Sequence, residues 1–162
     1  MARHRRPWAA YGAALCALGY AGVSFYWAVG GTAGLRGLGG SLERMARSGG
    51  AGAAAVIWLT VGLKLAGALL ALALARPNCS PLPRRWLQWL AGGVAVGLTL
   101  YGGILVLSEA LVEVGAVQPK SVDWTALRWH LGLWDPWFLV WGLLLGLATY
   151  QSRRASGTPR WT

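Results

Sequence analysis

Apolar residues fall into four long stretches along this chain, at residues 8–29, 51–75, 86–114 and 136–150. The last has a Trp-rich approach through 129–134. A helix needs about 20 residues to cross the hydrocarbon core of a bilayer. The first three stretches exceed that length, and the fourth reaches it with its approach. The pattern predicts a single all-α domain over 1–162: an integral membrane bundle of four transmembrane helices. Stretch 8–29 follows a basic start, as a secretory signal does. It is longer than the 7–15 residues of a signal core and ends on Tyr26 and Trp27, so it reads as a retained crossing.

The intervening segments have their own signals. Residues 30–50 are Gly-rich, and 41–47 predict a short helix capped by Ser41. Pro77, Pro81 and Pro83 make 76–85 a stiff, non-helical turn. In 122–131 the apolar residues Trp124, Leu127 and Leu131 stand near helical spacing, which predicts a short helix at the membrane interface. Residues 1–7 and 151–162 are basic tails.

Charge supplies the orientation. With the N-terminus inside, the cytoplasmic segments carry nine cations (Arg3, Arg5, Arg6, Arg76, Arg84, Arg85, Arg153, Arg154 and Arg160). The outer segments carry five: Arg36, Arg44, Arg47, Lys120 and Arg128. Positive loops stay inside, so both termini are expected in the cytoplasm of a multi-pass plasma-membrane protein. All five acids, Glu43, Glu109, Glu113, Asp123 and Asp135, lie on the outer side. A net charge of +10 would suggest nucleic acid in a soluble protein. Here the cations flank apolar stretches, so the expected partners are membrane lipids, with anionic headgroups at the cytoplasmic face and no nucleic acid. Eleven Trp residues fit interfacial anchoring.

Small residues are expected to form the helix contacts, because lipid tails are as apolar as Leu. The stripes are Ala13, Ala17 and Ala21; Gly67, Ala71 and Ala75; Gly93 and Gly97; and Gly142 and Gly146. Their usual use is packing within the bundle, and a homo-oligomer face is the alternative.

Few residues suggest chemistry. Glu109 and Glu113 share a helix face, where like charges repel. They also stand near a helix C-terminus, which disfavours anions. They are either a salt-bridged pair at the rim or an outward-facing acid–base site. Lys64 lies deep in the second stretch, at a cost of about 2.5–3.5 kcal/mol unless it pairs or snorkels. A hydrogen bond to Tyr20, Thr99 or Tyr101 is expected. Asp135 before Pro136 reads as the N-cap of the fourth crossing. His130, beside Trp129, reads as an interfacial residue. Cys16 falls within a crossing and Cys79 in a cytoplasmic loop, a reducing compartment, so no disulfide between them is expected. No clustered His and Cys spacing and no nucleotide motif occurs, so neither a metal nor a cofactor is expected.

The segment Phe25-Tyr26-Trp27-Ala28-Val29-Gly30-Gly31 resembles a motif of a family of small four-helix bacterial membrane proteins catalogued as a domain of unknown function. Leu133-Trp134-Asp135-Pro136-Trp137-Phe138-Leu139 resembles its C-terminal signature. The resemblance covers residues 11–150 and implies the same four-helix membrane fold, but no activity. Family members often have His where this chain has Ser24, so the resemblance implies no imidazole chemistry there. Both motifs fall on the outer side. One outer-leaflet pocket is therefore expected from Tyr26, Trp27, Glu109, Glu113, Asp135 and Trp137, with Lys64, Tyr101 and His130 as further candidates. The leading functional expectation is a non-enzymatic lipid-binding or accessory membrane component. The alternatives are an enzyme acting on a lipid-like substrate through Glu109 and Glu113, and a small transporter subunit using Lys64.

Overall fold

The structure, a computed structural model, describes residues 7–76 and 80–156. In chain order it has α1 (Trp8–Ala28), a 3-10 turn (Leu35–Gly37), α2 (Gly40–Ser48), α3 (Ala51–Ala75), α4 (Arg84–Glu113), α5 (Trp124–Trp129), a π-helical turn (His130–Trp134) and α6 (Asp135–Ser156). Four helical units are long and apolar enough to cross a membrane: Trp8–Ala28, Ala51–Ala75, Arg84–Glu113 and Trp124–Ala155. The fourth is longer than residues 136–150, because α5, the π turn and α6 follow one another without a break. The bundle is all-α, as its hydropathy predicts.

The core is built from small residues on α1, α3 and α4, filled from α6 by larger ones. Ala9, Ala13 and Ala17 of α1, Ala68 and Ala71 of α3, and Ala91 and Ala95 of α4 are buried with Trp141 and Leu145. Helix α1 packs mainly on α3 and α6, and α4 packs mainly on α6. The α4–α6 contact is the closest. A Cβ placed on Gly102 would stand 2.5 Å from the Leu139 nitrogen and 2.9 Å from the Asp135 carbonyl oxygen. One placed on Gly142 would stand 2.5 Å from Thr99 Oγ1. By contrast, Gly93 and Gly97 face open space, with no described atom within 4 Å of an added Cβ. The expected packing stripe on α4 is therefore corrected: α4 meets α6 through Gly102 and the Leu98–Thr99 step, one face round from Gly93 and Gly97.

Two local expectations change. The N-cap of α2 is Gly39, in a left-handed conformation (φ +61°), rather than Ser41. Helix α4 starts at Arg84 behind Pro83, and the turn before it contains Pro81. Pro77, Cys79 and most of the two basic tails lie outside the described residues.

The ends of the bundle differ in charge. At one end Arg84 donates to the Ser152 carbonyl (2.8 Å), Gln88 to Ser152 Oγ (3.0 Å) and Arg153 to the Gln88 carbonyl (3.4 Å), so the start of α4 is tied to the end of α6. The other end carries the acids, α2, α5 and the π turn.

Candidate functional site

The acidic end is assembled by one capped helix and one irregular turn. The Asp123 carboxylate accepts from the Thr125 and Ala126 backbone N–H groups, both at 3.1 Å, and starts α5. That role was expected of Asp135, which instead lies inside a continuous helical segment and is buried. Pro136 has no N–H to give the Gly132 carbonyl, and its ring would clash there in a regular α-helix. The chain widens into a π turn, in which the Asp135 N–H reaches the His130 carbonyl. Such turns recur at functional sites. In an α-helix, residues five apart diverge by about 140° at 3.6 residues per turn. The wider turn brings His130 and Asp135 onto one face.

That face meets Glu109 of α4. His130 Nδ1 lies 3.1 Å from Asp135 Oδ2 and 3.8 Å from Glu109 Oε1. One ligand atom from each of the three residues lies within 4.8 Å of the others. The other ring nitrogen, Nε2, is 3.2 Å from the Leu38 carbonyl oxygen. The loop carrying Leu38 approaches this closely because its neighbours lack side chains. A Cβ on Gly37 would stand 2.9 Å from Trp129 Cγ, and one on Gly39 2.5 Å from Ala126 Cβ. Glu109 Oε2 is buried and has no hydrogen-bond partner among the described residues. The three groups open onto a cavity of about 390 Å³ bordered by Tyr101, Ser121 and Asp123. Buried carboxylates around an imidazole can hold a cation or relay a proton.

The expected outer pocket divides. Glu113 turns away from Glu109 to meet Arg128 Nε at 3.3 Å. Tyr26 and Trp27 close the first loop on itself: Trp27 Nε1 donates to the Ala33 carbonyl (2.8 Å), and the Ala33 N–H donates to Tyr26 Oη (3.3 Å). Trp27 meets Trp134 edge to face at 5.5 Å, behind the cluster. Trp137 points into the bundle, donates to the Cys16 carbonyl at 2.9 Å and stacks on Tyr20. Tyr101 borders the cavity and packs edge-on to Phe138. His130, expected to be interfacial, is instead the centre of the cluster. The available signal was His and Asp five apart just before Pro136, read as a turn that has to widen.

Lys64 forms a separate feature. Its ammonium donates to Ser24 Oγ of α1 at 2.5 Å and sits 3.9 Å from the centre of the Tyr20 ring. Tyr20 is thus a neighbour through its ring face, and the hydrogen bond goes to Ser24 rather than to Tyr20, Thr99 or Tyr101. Lys64 also borders a groove of about 960 Å³ between α3 and α4. Leu63, Leu70, Leu90, Val94 and Leu98 make its apolar sides, Trp141 its floor, and Arg76 and Ser80 its polar end.

A family described as "Protein of unknown function (DUF3995)" matches residues 17–145. No curated protein matches the chain, and no solved structure matches it.

Proposed function

The chain belongs to the DUF3995 family, whose description names no activity, and from that premise we propose that it is a lipid-binding component of the plasma membrane, with both termini cytoplasmic. The groove between α3 and α4 carries this reading. From Thr60 to Arg76 it follows sixteen residues of α3, about 24 Å at about 1.5 Å per residue. That exceeds one leaflet of a hydrocarbon core about 30 Å thick. Its lining is mostly apolar along this length, with Arg76 at one end and Thr60 and Lys64 at the other; the apolar stretch beside Arg76 suits an acyl chain below an anionic headgroup. Arg76 lies at the groove mouth. Arg84, Arg85, Arg153 and Arg154 begin α4 and end α6 at the same end of the bundle. Clusters of basic residues at a membrane face attract anionic lipid at about 1 kcal/mol each.

Acid–base chemistry by Glu109 and Glu113 as a pair loses its geometric support, since Glu113 is engaged by Arg128. Lys64 is held by Ser24 and Tyr20, which favours a tether between α1 and α3 over an ion path.

Native mass spectrometry from mild detergent tests the proposal. The wild type should retain a stoichiometric anionic phospholipid. Ala73→Trp, which fills the groove, should lose it. Gly97→Trp, on the open face of α4, should keep it. A wild type that carries no lipid, or whose groove is covered by a second copy that Ala73→Trp releases, would overturn the reading.

A further inference from the structure

The cluster at the acidic end gathers three acceptors and no donor when both of its carboxyls are ionised and its ring is neutral. A carbonyl oxygen has no proton to give, so the 3.2 Å contact to Leu38 makes His130 Nε2 the donor. In the neutral ring the proton is then spent, and Nδ1 presents a lone pair. That lone pair faces carboxylate oxygens at 3.1 and 3.8 Å. Three acceptors converge with no donor among them. One proton on Nδ1 leaves two carboxylates against one positive charge, so neutrality takes either a second proton on a carboxyl or a cation, and Asp135 is buried. Uncompensated buried charge is costly. A divalent ion brings the sum to zero and gives each lone pair a partner.

We propose that Glu109, His130 and Asp135 bind a divalent transition-metal ion of the zinc type. The spacing fits. Donors on a tetrahedral zinc at about 2.0–2.1 Å stand roughly 3.3 Å apart. The two measured separations from Nδ1 lie on either side of that value, and all three donors fall within 4.8 Å of one another. An imidazole with two carboxylates suits zinc, iron or manganese better than calcium or magnesium. The Leu38 carbonyl does what outer partners of metal-bound imidazoles do: it fixes the tautomer and the ring plane. The π turn has the same purpose on the opposite side, bringing two ligands from one helical segment to a single point. Three protein ligands leave a fourth position open, and all three border the 390 Å³ cavity, the pattern of a site that admits water or a small ligand rather than a closed structural one.

The site stands apart from the groove reading, and the two can fail separately. The full-length protein in detergent is stripped with chelator, equilibrated with Zn²⁺ and freed of excess. Bound metal is counted by elemental analysis, and affinity is measured by titration calorimetry. One zinc per chain is expected, with a rise in unfolding temperature. Glu109→Gln and His130→Ala should each weaken binding at least about 10–100-fold, the loss typical of outer ligand partners alone. Glu113→Gln, whose side chain is turned to Arg128, should bind as the wild type does. Ala73→Trp should lose lipid and keep zinc. Substoichiometric zinc in the wild type would overturn the proposal, as would equal binding by His130→Ala. The cluster would then be balanced by protons alone. A variant that fails to fold is set aside by measuring the other, since either ligand suffices.

Discussion

Helix α4 makes two contacts of opposite character. Towards α6 its backbone comes so near that Gly102 and Gly142 have no room for a single carbon. Towards α3 it leaves a groove of about 960 Å³. The α6 side of α4 carries Ala95 and Gly102, whereas its groove side carries Leu87, Leu90, Val94 and Leu98. The opposite walls differ in the same way. Helix α6 offers Gly142 and the backbone of Asp135 and Leu139, and small surfaces on both sides let two helices approach. Helix α3 offers Leu63, Leu70 and Leu72, whose bulk keeps it at a distance. In a bilayer such a gap is not squeezed shut by water, because lipid tails fill it as well as protein does. Small residues on both partners close the α4–α6 pair, and bulky ones on both keep α3 and α4 apart.

Inserting the same side chain at three glycines grades this contrast. Gly102→Leu drives carbons into the Leu139 backbone, which has no rotamer to change. A loss of about 3 kcal/mol or more is expected, at the top of the usual overpacking range. Gly67→Leu meets the ring of Trp141, a side chain bordering the groove with space to swing into. About 1–2 kcal/mol is expected. Gly97→Leu meets nothing and should stay within about 0.5 kcal/mol of wild type. Thermal unfolding in one detergent reads all three. Equal losses at Gly102 and Gly97 would show that the two faces of α4 are packed alike.

The contrast also separates what could be read in advance from what could not. The crossings were legible because each helix must satisfy its own backbone in lipid and present about 20 apolar residues. The acidic end was legible as a charge pattern but not as a site. Glu109 and Glu113 stand four apart on α4, yet one lies beside His130 and the other meets Arg128. Those partners come from the fourth crossing, and helical spacing carries no information about a neighbouring helix. Asp135 before Pro136 has the composition of a cap, a role that tertiary packing gave to Asp123 twelve positions earlier. The π turn puts His130 on the face of Asp135, so a residue read as interfacial sits in the cluster. The groove could not be foreseen at all: it depends on the separation of α3 and α4, and Leu runs look alike whether they face lipid tails or a cavity.

Lys64 lies at the edge of the open side, where the closed and open contacts meet. Its ammonium is satisfied across the closed α1–α3 contact, by Ser24 and the Tyr20 ring. Ser24→Ala removes the only oxygen that receives its hydrogen bond among the described residues. Hydrogen bonds between membrane helices average about 0.6 kcal/mol and reach about 1.7, and a charged donor places this one at the upper end. Lys64→Met removes donor and charge together and keeps the length of the side chain. Replacing a buried charge with an apolar group of like shape is often neutral or stabilising, so Lys64→Met should cost less than Ser24→Ala. In the double variant the Ser24→Ala penalty should vanish, because no ammonium is left wanting an acceptor. A double-mutant cycle by thermal unfolding measures this directly. If Ser24→Ala costs nothing with Lys64 present, the ammonium is being satisfied from the groove. The open side would then be polar at its deepest point, and an acyl chain would be the wrong occupant for that end.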